Sequence, residues 1–339
     1  MKYTIRDVAR RAGVGPTTVS RVLNHSPLVT KETRQRVEAA IAALNFVPNP
    51  TARRLSLGKT QTIAAIVPFF TRPSAVERLR GVDSALAESQ YDLIVFNVES
   101  VERRDRCFRE VPRPDRADGV IIVSFTPTDE QAAGFLRSGV PVVLLDARHP
   151  ALPSVMEDSV AGGRQATEHL IQLGHRRIGY LSDVFDDPFN YTSRSRFRYV
   201  GYRAALEAAG LDVAAHYQRQ GEHGRETARQ MAAELLDLPE PPTAIFAASD
   251  TQAMGVLEAA RDRGLRVPED LSVVGYDDLE VAEYLGLTTV RQALFESGRQ
   301  SVACLWTAMA GEAGRVDQVT LPTELVIRRT TAAPPRERR

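Results

Sequence analysis

Apolar positions repeat with two different periods along the chain. Up to about residue 60 they recur three and four apart: Ile5, Val8, Ala9 and Ala12; Val19, Val22 and Leu23; Val37, Ile41 and Leu44. That spacing is one face of an amphipathic helix, so three short helices are expected. Thr4-Ile5-Arg6-Asp7 has the form of a capping box for the first. Gly13-Val14-Gly15 breaks it, and Pro16 can open the second at the position where its missing N–H costs nothing. The third is expected to begin after Thr30. Residues 1–46 thus read as an all-α head, and residues 47–60, with Pro48, Pro50 and Gly58, as a linker containing one short helix-capable stretch. Seven residues are too few for that stretch to be a stable helix on its own in water.

From residue 61 onward, runs of consecutive β-branched and apolar residues alternate with helical patterns. Strands are expected at 62–68, 93–98, 119–125, 140–146, 177–182, 244–248 and 271–276, with helices at 76–89, 160–173, 198–209, 227–236 and 251–263. Strands without polar alternation, separated by helices, imply parallel sheets covered on both faces. There are too many units for one compact sheet, so the body is expected to form two Rossmann-like α/β lobes.

Charge sharpens the division. The net charge is zero, yet residues 1–60 hold eleven basic residues against only Asp7, Glu32 and Glu38, and the body is acidic. A basic head on an acidic body suggests that one end meets a polyanion. Only Lys2, Lys31 and Lys59 of the 43 basic residues are lysine, which reads as coding bias. Cys107 and Cys304 match no metal or disulfide spacing and are expected to be reduced. The apolar run 62–70 is far short of the roughly 20 residues a bilayer-spanning helix needs. The N-terminal sequence has no apolar core of the export type, so the chain is expected to be cytoplasmic and away from membranes. No GxSxG, HExxH, CxxC or P-loop is present, so no enzyme, metal or cofactor is expected.

Two short helices joined by a glycine-bearing turn, the second carrying hydroxyls, an amide and an Arg, make a helix-turn-helix able to enter the major groove of double-stranded DNA. The stretch TIRDVARRAGVGPTTVSRVLN, followed by VTKETRQRVEAAIAALNFVPNPTARRL, resembles the DNA-binding end of the lactose/galactose repressor family without gaps. The resemblance implies base contacts from Pro16 and Thr17, followed by Thr18, and phosphate contacts from Thr4, Ser20, Arg21, Asn24, Thr30 and Asn49. Pro16 departs from the polar readers of relatives, so specificity would rest on Thr17 and apolar contact. Phe46 stands where a tyrosine hydroxyl is common. In the linker the resemblance implies a helix that folds on the operator and wedges Leu55 into the minor groove, with Arg53 and Arg54 at phosphates.

SVMEDSVAGGRQATEHLIQLGHRRIGYL, AIFAASDTQAMG, LSVVGYDD and LTTVRQ resemble later stretches of the same family, and the body is similar to a periplasmic sugar-binding fold. That implies a first lobe of 61–158 plus 288–318 and a second of 159–287 plus 319–330, with crossings near Asp158, Leu287 and Val319 and a disordered tail at 331–339. Ligands in open α/β sheets sit at the C-terminal ends of the strands. The effector positions implied are Phe70, Arg72 and Ser74 in the loop from Phe69 to Ala75, Asp146, Arg198, His223, Ser249 or Asp250, and Asp277, with Phe189 or Tyr191 as an aromatic wall. Carboxylates with Arg suit a neutral sugar. The expectation is a ligand-responsive repressor acting as a homodimer on a palindromic operator, its dimer surface including helices around Val76–Glu88 and Ala253–Ala260. A corepressor or a protein partner in place of a sugar inducer is the alternative.

Overall fold

The computed structural model describes residues 3–24, 26–47, 59–185, 194–311 and 316–335. The chain divides into two compact units, Met1–Thr60 and Gln61–Arg339. Leu55, Asn49, Arg53 and Phe189 lie outside the described residues, as do Arg54 and Tyr191.

In the head, α1 (Ile5–Ala12), α2 (Pro16–Leu23) and α3 (Lys31–Leu44) form where the apolar spacing puts them. Asp7 accepts from both the N–H and the hydroxyl of Thr4 at 2.9 and 2.7 Å. Gly13 ends α1 in the left-handed region at φ 66°, which a Cβ would oppose. Thr30 caps α3 by accepting from the Thr33 N–H. Val8, Ala9, Ala12, Val19, Val22, Val37 and Ala40 make one core, and Phe46 packs against it. The Phe46 ring, which carries no hydroxyl, is thus engaged with the head's interior.

The second unit holds two six-stranded sheets. In chain order its elements are β1 (Thr62–Pro68), α4 (Pro73–Leu86), β2 (Asp92–Val98), α5 (Val101–Glu110), β3 (Gly119–Val123), α6 (Asp129–Ser138), β4 (Val142–Leu145), β5 (Ser154–Glu157), α7 (Ser159–Gln172), β6 (Ile178–Asp183), α8 (Arg194–Ala208), β7 (Gln218–Gly221), α9 (Arg225–Leu236), β8 (Ala244–Ala247), α10 (Asp250–Asp262), β9 (Ser272–Asp277), α11 (Glu280–Leu285), β10 (Thr288–Arg291), α12 (Leu294–Met309), β11 (Gln318–Leu321) and β12 (Glu324–Val326). The first sheet runs β11-β5-β4-β3-β1-β2 and the second β12-β10-β9-β8-β6-β7. Among the described residues every pairing of these strands is parallel except β10 with β12. Alternate residues of β1 face opposite layers: Ala64 and Ile66 enter one core, Ile63, Ala65 and Val67 the other. The second sheet has its own two cores.

Among the described residues the chain passes between the lobes three times, twice a few residues beyond the expected points. The first is at Asp158, between β5 and α7. Thr288–Arg291, expected to open the return to the first lobe, instead pairs with β9 in the second sheet, and the chain crosses at Gln292 and Ala293. Val319 lies inside β11, which adds to the first sheet beside β5; the third crossing is Pro322-Thr323. Both strands are four residues long, too short for a hydrophobic run to reveal their sheet. Thr331 and Ala332, expected in a disordered tail, are held against the second lobe. Thr331 meets His169 at 3.0 Å, and the Ala332 carbonyl lies 2.9 Å from His175 Nε2 and 3.1 Å from the Ser272 hydroxyl that donates to it.

Helix pairs close tightly where glycines face each other. On Gly298 a Cβ would run into the Arg78 carbonyl, and on Gly81 into the Phe295 carbonyl, so α4 and α12 approach backbone to backbone. Arg78, whose carbonyl meets Gly298, also sends its guanidinium to Asp146 and Glu157.

Candidate functional site

Two surfaces carry the chemistry, one on each unit. On the head, α2 presents Pro16, Thr17 and Arg21 as exposed side chains, while Thr18, Ser20 and Asn24 are half-buried and Val19 and Val22 hold the helix to its neighbours. Thr4 and Thr30 are exposed at the starts of α1 and α3. The head thus offers one helix face of short polar, ring and guanidinium groups on a rigid frame.

In the second unit the polar residues converge at the C-terminal ends of the strands. A cleft at these strand ends is lined from the first lobe by Arg72, Ser74, Arg78, Ser124 and Asp146, and from the second by Asp183, Ser195, Arg198, His223, Ser249 and Asp277. The chain turns sharply there: Phe69, Ser124, Asp146, Asp277 and Asp278 all have positive φ without being glycine. Such conformations cost about 1–3 kcal/mol each and persist where the surroundings enforce them.

Each lobe lines the cleft with a buried arginine beside at least one carboxylate. In the first, Arg78 Nη2 lies 3.2 Å from Asp146 and 3.1 Å from Glu157, and the Ser124 hydroxyl donates to Asp146 at 2.6 Å. Burial opposes the Arg78 charge, but Asp146 and Glu157 more than offset it, so the guanidinium is held cationic. In the second lobe Arg198 lies over the Tyr276 ring at 3.8 Å, donates to the Ala248 carbonyl, and sits 3.7 Å from Asp277. The Nε–H groups of both arginines are buried without an acceptor. An unsatisfied buried donor is costly, so each arginine sits in the cleft wall with part of its hydrogen-bonding capacity unmet.

The aspartates differ in their titration. Burial pushes the Asp277 carboxyl up to about 6 despite Arg198, Arg78 and the Gln292 side chain, which donates to it at 2.5 Å. Asp183 goes the other way. Burial alone would raise it, but His223 Nδ1 at 3.0 Å and the charges of Arg72 and Arg198 hold it below the ordinary carboxylate value. Gln252 also donates to Asp183, at 2.9 Å.

Of the residues named from sequence, Arg72, Ser74, Asp146, Arg198, His223, Ser249 and Asp277 line the cleft. Asp250 does not. Its carboxylate is fully buried and accepts from the Leu279 N–H at 2.8 Å and the Thr289 hydroxyl at 2.6 Å, tying α10 to the strand ends beneath the site. Phe70 is 42% exposed and is not part of the lining; Arg72 lies over Phe69 instead, 4.4 Å from its centroid. Arg78, Ser124, Asp183 and Ser195 were missed. Arg78 had a signal: it occupies the core-facing stripe of α4 with Ala75, Gly81, Val82 and Leu86, where an ionised residue requires a buried partner.

Among the described residues no group of three or more His, Cys, Asp or Glu is arranged to hold a metal ion, and no helix is long and apolar enough to cross a membrane.

Comparison with known proteins places this geometry. The profile of bacterial regulatory proteins of the lacI family matches residues 4–49, and that of a periplasmic binding protein-like domain matches 167–331. Catabolite control protein A of Priestia megaterium is 32% identical over 335 residues, 98% of this chain and 100% of that protein. A lac repressor dimer bound to operator and the anti-inducer ONPF superposes with a TM-score of 0.85 at 31% identity, covering 98% of this chain and 100% of the other. A complex of the transcriptional regulator CelR with cellobiose gives a TM-score of 0.71 at 33% identity, over 97% and 99% of the two chains.

Proposed function

The chain belongs to the lacI family of bacterial regulatory proteins, and from that premise we propose that it is a transcriptional repressor which binds a palindromic operator as a homodimer and answers to a neutral sugar in the interlobe cleft. One observation carries the sugar reading. The lining sets three arginines against three aspartates, leaving little net charge to attract an ion, while the Arg78 and Arg198 Nε–H groups lack acceptors. Hydroxyl oxygens supply lone pairs without adding charge, and they can donate in turn to the carboxylates. Cellobiose in the CelR complex supports the same reading.

Regulation then follows from where the buried arginines are anchored. Glu157, paired with Arg78, is the last residue before the first crossing, and Gln292, bonded to Asp277, lies in the second. A ligand that draws both arginines inward moves groups braced on the segments about which the lobes rotate. Coupling of this kind is typically about 1–3 kcal/mol.

The homodimer reading is supported by apolar side chains left exposed on both lobes: Val76 on α4, Ile94 and Val95 on the edge strand β2, and Tyr284, 86% exposed on α11. Ala253, Ala259 and Ala260 of α10 are buried within their own lobe and are not available to a partner.

The test is a thermal-shift titration of the purified protein with neutral mono- and disaccharides, cellobiose and ribose among them, alongside sugar phosphates and purines. A ligand at 100 times its dissociation constant stabilises the native state by about 2.7 kcal/mol. A rise with a neutral sugar, lost in Arg198→Met, is the expected result. A rise only with phosphates or purines, or one that Arg198→Met leaves intact, would overturn the sugar reading.

A further inference from the structure

The leading end of α2 lacks any side chain able to pair with a base edge through two hydrogen bonds. Gly15 is its N-cap, Pro16 its first residue and Thr17 its second, and both Pro16 and Thr17 are exposed. Thr18 is half-buried and Val19 fully buried, so the next exposed side chain is Arg21, one turn further on. Val19 and Val22 lock the helix to the head's core. Pro16 is therefore a rigid apolar ring presented where a helix-turn-helix meets base edges.

Each base shows a distinct pattern in the major groove. Guanine presents two acceptors, adenine an acceptor and a donor, cytosine a donor, and thymine an acceptor beside its C5 methyl group. A pyrrolidine ring neither donates nor accepts. Set against a guanine, adenine or cytosine edge, it would strip water from polar atoms and return nothing, which is costly. The thymine methyl is the largest apolar feature among the four. Thr17 fits the same partner: it has one hydroxyl for the O4 acceptor and one methyl of its own, and cannot form the paired contacts that Arg, Asn or Gln make.

We propose that Pro16 and Thr17 read thymine methyl groups, so that each half-site carries thymine, on either strand, beneath the opening of α2. This rests on the operator-binding reading above. Specificity at these positions comes from apolar contact and from exclusion of polar edges; Arg21 and the flanking hydroxyls set the register.

The experiment uses the full-length protein. Duplexes are selected from a random library of roughly 20 base pairs, enough for two half-sites about a helical turn apart. In the selected duplex each thymine is then replaced singly by uracil, which removes only the methyl group. Burying one such group is worth about fourfold in affinity, and about fifteenfold for a symmetric pair. One or two positions per half-site should show that loss. Pro16→Ala and Thr17→Ser should each abolish the uracil sensitivity at one position while leaving the others intact, and 5-methylcytosine should partly replace thymine there. Uracil tolerated at every position would overturn the assignment, as would sensitivity unchanged in both variants. Selection of no duplex at all would instead remove the operator-binding reading on which the assignment stands.

Discussion

Replacing Asp277 with asparagine should make the protein more stable at neutral pH while disabling its cleft. Asp277 ends β9, is 6% exposed, and shares its Oδ1 between the Gln292 amide and the more distant Arg198 guanidinium. Burial dominates those contacts and moves the carboxyl from 3.8 to about 6. Two pH units at 1.36 kcal/mol each give about 3 kcal/mol as the cost of holding this carboxylate ionised in the fold. Between pH 3.8 and about 6 the folded protein binds more protons here than the unfolded chain, so stability falls as pH rises through that window. The deficit is complete about one unit above it. Asparagine titrates in neither state and carries none of it.

Asp277→Asn should therefore exceed the wild type by up to about 3 kcal/mol near pH 7.5, and by only about 1 kcal/mol near pH 4.5. Asp250 pushes in the same direction. Its carboxyl is raised strongly by its own burial and then by the Asp277 charge, so removing that charge relieves both groups and widens the difference at high pH. Urea unfolding followed by far-ultraviolet circular dichroism, at several pH values for both proteins, measures the gap directly. A variant no more stable than the wild type at pH 7.5, or a gap that does not close on acidification, would refute the reasoning. The stabilised variant should also lose its thermal response to sugar, because a carboxylate held at such a cost is useful only if something binds it.

Two further perturbations test the frame around the cleft. Gly298→Val would drive a side chain into the Arg78 carbonyl and force α12 off α4, at about 1–3 kcal/mol or more by thermal melting, with the cleft disturbed because Arg78 moves. Equal stability would show that the helices pack with slack. His175 is almost fully buried and bridges the Thr243 and Ser272 hydroxyls and the Ala332 carbonyl. His175→Ala should cost about 1–3 kcal/mol and expose the Val273 amide, bonded to Thr330, to hydrogen exchange. Burial lowers His175 below its ordinary 6.5, with Ala332 partly opposing and His169 reinforcing, so the wild type should lose stability as pH falls below about 6.5 and the variant should lose less.

The parts legible in sequence were those whose signal lies in neighbouring residues. Helix faces at three- and four-residue spacing and long buried strands such as β1 are local patterns, and they fixed the head and the two-lobed body. Short strands were not legible in this way. Thr288–Arg291 and Gln318–Leu321 are assigned to a sheet by which strand edge is open, a property of the assembled lobe. The same holds for polar residues. Asp146, Asp250 and Asp277 all follow strand ends, and Ser249 and Asp250 are adjacent, yet the backbone turn sends Ser249 into the cleft and Asp250 beneath it. An aspartate's role is decided by its donors. Those of Asp250 come from 29 and 39 residues further along the chain.

Arg78 shows how the gap narrows. A charged residue at a stripe position of an amphipathic helix cannot be buried alone, because an uncompensated buried ion costs several kcal/mol. Its presence among Ala75, Gly81 and Val82 therefore demands carboxylates across the interface before any coordinates are known. The structure supplies Asp146 and Glu157, 68 and 79 residues away, one lining the cleft and the other beside the first crossing. The exception in the hydrophobic pattern thus marks the joint where cleft and crossing meet. Losing either carboxylate should weaken that joint differently. Asp146 lines the cleft, so on the proposed reading its removal should act first on binding. Glu157 is fully buried behind Arg78, so its removal should act first on how far binding is felt by the rest of the chain.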